Sequence, residues 1–163
     1  MMLMGLLIKT VESQQESEAV QSLRIVVFVT EQGVPLTIEI DEEDVNAIHA
    51  IAFWDGSIIG TGRLIIDTLS EARIGRMAVK MPGRRQGIGS AILRFLEHVA
   101  VLRGINFITL HAQEYVKQFY TEAGYIQHGD TFREAGILHV EMTKEIYLSV
   151  IKGEIDNHEN RCE

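Results

Sequence analysis

Arg84-Arg85-Gln86-Gly87-Ile88-Gly89-Ser90 follows a stretch that alternates like a β-strand, residues 73–79, and leads into one with helical spacing, residues 87–103. Two glycines at a helix start let the backbone come close to a ligand, and the free N–H groups of the first turn are anion donors. Arg84 and Arg85 add positive charge beside them. The stretch therefore predicts a loop that binds a diphosphate. A plain helix start with solvent-facing arginines is the alternative.

Two other phosphate-binding loops fit this stretch poorly. The dinucleotide-binding fingerprint needs a third glycine where Ile92 stands. A Walker loop needs Gly-Lys-Ser or Gly-Lys-Thr, and the sequence has neither. Both of these classes of nucleotide-binding protein are therefore disfavoured.

Strand and helix patterns alternate along the rest of the chain. Strands are predicted at 6–11, 48–54, 58–66, 73–79, 106–111, 125–127 and 138–146, and Asp55-Gly56 predicts a hairpin turn between the second and third. Helices are predicted after the N-cap Ser13, with Glu16 completing a capping box, at 87–103 and at 116–123. This order predicts an α/β domain with a mixed sheet and helices on both faces.

The length and charge of the chain limit its organisation and its partners. The 163 residues, 46% of them hydrophobic, suit one domain over 1–150, and residues 151–163 have the few apolar groups of a disordered tail. The net charge of −8, from 23 acidic and 15 basic residues, argues against a general nucleic-acid binder, because such a protein neutralises phosphates with Lys and Arg. A cationic or amine partner fits this charge better.

Cysteine, histidine and apolar patterns indicate the compartment and the metal content. The single cysteine, Cys162, allows no intrachain disulfide and favours a reducing, cytoplasmic location. Residues 1–8 are apolar but lack the features of a signal peptide, and no later stretch is long enough to predict a membrane helix. The six histidines show no pair at the i, i+4 spacing of helical ligands, so no metal is expected.

The motif Arg84-x-x-Gly87-x-Gly89, placed after a strand, resembles the acetyl-CoA signature of GNAT acetyltransferases. A second block, Phe119-Tyr120-Thr121-Glu122-Ala123-Gly124-Tyr125, is similar to a downstream segment of the same family. The two blocks and the strand order together cover residues 5–146. A narrower resemblance, to the ElaA-like or YjcF-like branch, rests on residues 27–35, 73–79, 111–113 and 134–142.

This resemblance implies a mostly antiparallel sheet of six to seven strands, splayed between strands 4 and 5 around acetyl-CoA. Strand 4 would pair with the pantetheine arm as an added edge strand does, and the loop amides would hold the pyrophosphate. A backbone N–H exposed at the splay would polarise the thioester carbonyl. The implied cofactor-binding residues are Met77, Ala78, Val79, Arg84, Arg85, Gln86, Gly87, Ile88, Gly89, Ser90, Gln113, Phe119 and Tyr120.

Two side chains receive more specific roles from the resemblance. Tyr120 stands where many family members place a tyrosine that protonates the leaving CoA thiolate, so it is the expected general acid. A tyrosine half buried in the core is the alternative interpretation. Gln113 stands where relatives often have an asparagine that contacts the cofactor.

The general base stays open at the level of sequence. Some relatives carry a glutamate on strand 4 where this chain has Arg73. Glu71, His111, Glu134 or a water molecule could take the role instead. The acidic run at 39–44 could line the mouth of an acceptor site, although a solvated loop is the favoured interpretation.

The resulting functional prediction is transfer of an acetyl group from acetyl-CoA to a primary amine by direct attack in a ternary complex. The amine could belong to a small molecule or to a peptide, and pairing of two copies as a homodimer is possible. The alternative is a regulatory module that binds acetyl-CoA or CoA without catalysis.

Overall fold

A seven-stranded sheet organises residues 5–147, which are the residues that the computed structural model describes. The predicted C-terminal tail at 151–163, with Cys162, lies outside them. The strands are β1 Leu6–Thr10, β2 Ile48–Trp54, β3 Ser57–Ile66, β4 Glu71–Val79, β5 Phe107–Gln113, β6 Ile126–Glu134 and β7 Ile137–Glu145. Their order is β1-β2-β3-β4-β5-β7-β6, and every neighbouring pair is antiparallel except β4 and β5. The predicted mixed, mostly antiparallel sheet is confirmed.

Helices cover both faces of this sheet, as predicted. They are α1 Gln14–Arg24, continued by a π-helix at Ile25–Glu31, then α2 Leu36–Glu39, α3 Ile88–Leu102 and α4 Lys117–Glu122, with 3-10 turns at Glu42–Val45, Met81–Gly83 and Glu114–Val116. The larger core lies between the sheet and α3. A smaller one lies under α1 and the π-helix. None of the helices within residues 5–147 is long and apolar enough to cross a membrane.

Local sequence signals explain where several elements begin and end. The Ser13 Oγ accepts a hydrogen bond from the Glu16 N–H at 3.1 Å, which confirms the predicted N-cap of α1. The Glu16 carboxylate accepts from the N–H of Glu12 rather than from that of Ser13. Asp55 and Gly56 both have positive φ angles, 48° and 84°, as a tight hairpin turn requires.

Strand β6 is longer than predicted. The sequence pattern indicated only residues 125–127, whereas the strand runs over Ile126–Glu134. Almost all of its side chains are exposed, so no alternation of buried and exposed residues marks it in the sequence. It turns into β7 at Ala135 and Gly136, which both have positive φ.

The pairing between β4 and β5 stops after three positions. Glu71, Ala72 and Arg73 pair with Phe107, Ile108 and Thr109, and beyond them the two strands separate. Strand β4 also carries a bulge there, because Arg76 has a positive φ of 50° and two β4 residues face Gly62 of β3. The sheet therefore opens between its two central strands.

Candidate active site

A groove of about 740 Å³ lies where β4 and β5 separate. Its walls come from the outer half of β4, from the end of β5, and from the segment between α1 and β2. The predicted site residues that line it are Met77, Ala78, Val79, Arg84, Gln113 and Tyr120. This volume falls within the range of small-molecule and cofactor sites.

The backbone of Val79 faces this groove. The neighbouring Lys80 N–H donates to the Ile59 carbonyl of β3 at 2.8 Å. Because successive residues of a strand direct their backbone groups to opposite sides, those of Val79 point away from β3. The end of β4 thus offers the Val79 N–H at the backbone edge that the pantetheine arm was expected to use, whereas the Val79 carbonyl accepts from the Arg84 Nε at 2.9 Å.

The loop before α3 has the backbone shape of an anion site. Arg85 and Gly87 have positive φ angles of 63° and 80°, and no side chain among the described residues caps α3. The N–H groups of the first turn of α3 have no partner within the helix. The Ile88 side chain is buried, so only its backbone can meet a ligand.

Two glycines at this site are not required by the packing of the chain itself. A β-carbon added to Gly89 would lie 3.5 Å from Phe119 and 3.9 Å from Val79, which are ordinary contacts. A β-carbon added to Gly75 would meet no atom within 4 Å. Small residues beside an open groove therefore leave room for a ligand, and the residues present fit a bound acetyl-CoA.

Two predicted cofactor residues contact the segment that follows α1. The Arg84 Nη2 donates to the Glu31 Oε2 at 2.6 Å, and the Arg84 Nε donates to the Val79 carbonyl at 2.9 Å. The Gln113 Nε2 donates to the Gln32 Oε1 at 2.9 Å. The positive charge that Arg84 was expected to offer a diphosphate is thus paired with a carboxylate. No local sequence pattern predicts these contacts, because Arg84 is 53 residues from Glu31 and Gln113 is 81 residues from Gln32.

Tyr120 lies on α4 and is only 9% exposed. Its ring packs edge-on against Phe119 and Tyr125, with centroids 4.9 and 5.9 Å away. Burial raises the pKa of the Tyr120 hydroxyl above its usual value, and the nearby Tyr115 raises it further. The phenol is therefore protonated at neutral pH, which is the form that a proton donor requires.

The wall formed by β5, β6 and β7 carries histidines and glutamates. His111 Nδ1 lies 3.0 Å from Glu134 Oε1, and His111 Nε2 lies 3.6 Å from Glu141 Oε2. His139 Nε2 lies 3.7 Å from the second oxygen of Glu134. Of the predicted base candidates, His111 and Glu134 line the groove, whereas Glu71 lies at the paired end of β4, outside it. No group of three or more His, Cys, Asp or Glu within residues 5–147 could hold a metal ion.

The acidic run at 39–44 is not a solvated loop, so that expectation is wrong. Glu39 is only 2% exposed and lies 2.7 Å from Arg24 and 3.2 Å from Arg76. Further ion pairs join Asp41 and Asp44 to Arg63, Asp44 to Arg24, and Glu43 to Arg73. Glu39, Asp41 and Glu43 do line the groove, but arginines from α1, β3 and β4 neutralise them. The run folds inward because those arginines, distant in sequence, supply its partners.

A seven-stranded sheet whose one parallel pair opens into a groove, with a glycine loop before the next helix, defines the acyl-CoA N-acyltransferase fold. Residues 8–146 match the profile of the acetyltransferase (GNAT) domain family. The chain belongs to this GNAT family and is an acyltransferase of the N-acetyltransferase class.

Individual relatives support the narrower branch. One protein of Bacillus subtilis, whose name assigns it provisionally to the acetyltransferases, is 32% identical over 141 residues, which are 85% of this chain and 95% of its own. The uncharacterized N-acetyltransferase YjcF of the same organism is 32% identical over 120 residues, 73% of this chain and 85% of its own.

Solved structures share the fold. Escherichia coli ElaA has a TM-score of 0.76 and 23% identity over 86% of this chain and 99% of its own. A GNAT acetyltransferase from Elizabethkingia anophelis, solved with acetyl-CoA bound, has a TM-score of 0.69 and 15% identity over 88% of this chain and 99% of its own. The resemblance to the ElaA-like or YjcF-like branch is confirmed by the match to YjcF.

Proposed function

We propose that this enzyme transfers the acetyl group of acetyl-CoA to a primary amine by direct attack in a ternary complex. The observation that carries the proposal is the groove at the splay of β4 and β5, which is lined by Val79, by Arg84 at the start of the loop before α3, and by Tyr120. A single groove of this kind can hold a donor and an acceptor side by side. Membership of an acetyltransferase family favours catalysis over a purely ligand-binding role.

The residues of this chain would hold acetyl-CoA mainly through their backbone. The Val79 edge, with Met77 and Ala78 beside it, would pair with the pantetheine arm. The N–H groups from Arg85 to Ser90 would bind the pyrophosphate at the start of α3. Gln113 would contact the arm from the β5 side once its amide leaves Gln32. The acetyl-CoA bound to the Elizabethkingia protein, which has the same fold, supports this choice of cosubstrate.

Tyr120 would act as the general acid. A CoA thiolate expelled by an amine must gain a proton, and a buried, protonated phenol beside the groove can supply it. The packing of its ring against Phe119 and Tyr125 holds the side chain in one orientation. The backbone N–H groups at the bulge of β4 would polarise the thioester carbonyl.

The proposal is tested by release of free CoA in the presence of acetyl-CoA and a panel of amines that includes diamines, amino sugars and lysine peptides. We expect release that depends on one class of amine. Binding is measured separately, because a ligand held by the folded state stabilises it by RT ln(1 + [L]/Kd), about 2.7 kcal/mol at 100 times Kd. Binding without turnover on any amine would favour the non-catalytic module. The absence of a thermal shift at millimolar acetyl-CoA would exclude both the acetyltransferase and the binding module.

A further inference from the structure

Two hydrogen-bond acceptors face each other at the β5–β7 wall of the groove. His111 on β5 and Glu141 on β7 are cross-strand partners, so their side chains lie on the same face of the sheet. The His111 Nε2 lies 3.6 Å from the Glu141 Oε2. Both side chains are partly exposed. His111 lines the groove and Glu141 lies beside it, so a molecule that contacts His111 from the groove can also reach Glu141.

The hydrogen bond on the other side of the ring assigns the tautomer of His111. The Nδ1 lies 3.0 Å from Glu134 Oε1, and an ionised carboxylate can only accept, so Nδ1 carries the proton and donates it. In the neutral imidazole, Nε2 then has a free lone pair. The His111 Nε2 and the Glu141 Oε2, 3.6 Å apart, are therefore two acceptors that a single donor nitrogen lying beside them can bond at the same time.

A second histidine lies beside Glu134 but does not donate to it in its neutral form. The His139 Nδ1 lies 2.7 Å from the Ile137 carbonyl and donates to it, so the His139 Nε2 faces the second Glu134 oxygen at 3.7 Å. Phe132 also packs edge-on against the His111 ring, with centroids 5.0 Å apart. Glu134 is thus a positioning residue, because it fixes the tautomer and the orientation of His111.

We infer that the primary ammonium of the acceptor has its seat beside the His111 Nε2 and Glu141 and donates to both, with His111 as its general base. This inference rests on the proposed function and names the class of acceptor, a cationic primary amine. One ammonium N–H donates to Glu141 and another to Nε2. That second N–H bond then breaks, its electron pair stays on nitrogen, and the proton binds Nε2. The neutral amine is the nucleophile that attacks the acetyl carbon.

The charges around this seat support a cation. Glu134, Glu141 and His139 face His111 on its own side, and none of the ion pairs among the described residues joins the two glutamates to a lysine or an arginine. Arg73 and Arg76, on the β4 side of the groove, are already paired with Glu43 and with Glu39 and Asp41. The β5–β7 wall is therefore the side of the groove with uncompensated negative charge.

The test uses n-butylammonium, n-butanol and butyrate as probes of equal chain length, with CoA present so that no reaction occurs. At about pH 8, where imidazoles are ordinarily neutral and alkylamines cationic, the ring resonances of 13C,15N-labelled histidine report binding. We expect n-butylammonium alone to shift the His111 resonance, which is assigned by its loss in His111→Gln. Glu141→Gln should weaken this binding at least about tenfold. His98→Gln is the matched control, because His98 is exposed on α3 and does not line the groove, and its binding should equal wild type.

Two further results separate this inference from the proposed function. Glu134→Ala should change the 15N tautomer signature of His111, whereas Glu134→Gln, which can still accept the Nδ1 proton, should preserve it. Two results would contradict the ammonium site at His111 and leave the proposed acetyl transfer standing. One is amine-dependent CoA release without any shift of the His111 resonance, and the other is equal shifts from the neutral and cationic probes. A His111 shift that Glu141→Gln weakens, without turnover on any amine, would support the seat and overturn the proposed function.

Discussion

The two walls of the groove both carry carboxylates, but the partners of those carboxylates differ. On the β4 side, Glu39, Asp41 and Glu43 are each paired with arginine, and part of that network is buried. On the β5–β7 side, Glu134 and Glu141 face histidines. Arginine keeps its proton at any pH that a protein meets, whereas histidine exchanges one near neutrality. The β4 side of the groove is therefore suited to stabilise the fold, and the β5–β7 side is suited to accept and release protons.

The largest expected effect is on stability, and it tests the structural role of the ion pairs on the β4 side of the groove. Arg24 is 1% exposed and binds Glu39, Asp44 and the Glu39 carbonyl. Arg24→Met leaves buried carboxylates without their main partner and should lower the free energy of unfolding by about 3–5 kcal/mol, measured by urea denaturation. Arg73→Met is the control, because the Arg73 side chain is 42% exposed, and about 1 kcal/mol or less is expected. Equal losses in the two variants would contradict a buried network.

The next effect concerns catalysis at the groove. Tyr120→Phe removes the proposed proton donor but keeps the ring, so kcat for acetyl transfer should fall on the order of 10²-fold with little change in CoA affinity. The loss should shrink with an acyl donor whose leaving group needs no proton. Tyr125→Phe, which alters a buried tyrosine that does not line the groove, should keep kcat. Full activity in Tyr120→Phe would contradict the role of general acid and leave Tyr120 as a residue that only packs the core.

A smaller effect is a loss of stability in acid. Burial raises the pKa of Asp44, but hydrogen bonds from Arg24 and Arg63 outweigh it and lower the pKa from 3.8 to about 2. A depressed carboxyl pKa stabilises the fold above the unfolded pKa, and that stability is lost as pH falls from about 4 towards about 2. The contribution is at most about 2 kcal/mol, less after solvent screening. The difference in unfolding free energy between wild type and Asp44→Asn should shrink over this window, and a constant difference would contradict the assignment.

The smallest expected effect tests the loop before α3. The chain itself has room for a β-carbon at Gly89, and circular dichroism checks that Gly89→Val keeps the fold. If the pyrophosphate lies against this backbone, the added side chain should weaken CoA binding at least tenfold, about 1.4 kcal/mol by titration calorimetry. An unchanged Kd would make the loop a plain helix start.

Features with a local cause could be predicted from the sequence. The hairpin at Asp55-Gly56, the N-cap at Ser13 and the helix after Gly87 all follow from a few neighbouring residues, and the structure places them as expected. The run at 39–44 was misjudged because its arginines come from α1, β3 and β4. Nor could any local pattern place Glu141 opposite His111, since that contact depends on the register of β5 with β7.

We propose that one groove between β4 and β5 holds the acetyl donor beside its general acid and its acceptor. A crystal structure of the enzyme with CoA and an amine tests it most directly. We expect the pyrophosphate on the amides of residues 85–90, the sulfur within hydrogen-bonding distance of the Tyr120 hydroxyl, and the amine on the side of His111. CoA bound away from the splay, or with its sulfur remote from Tyr120, would contradict it.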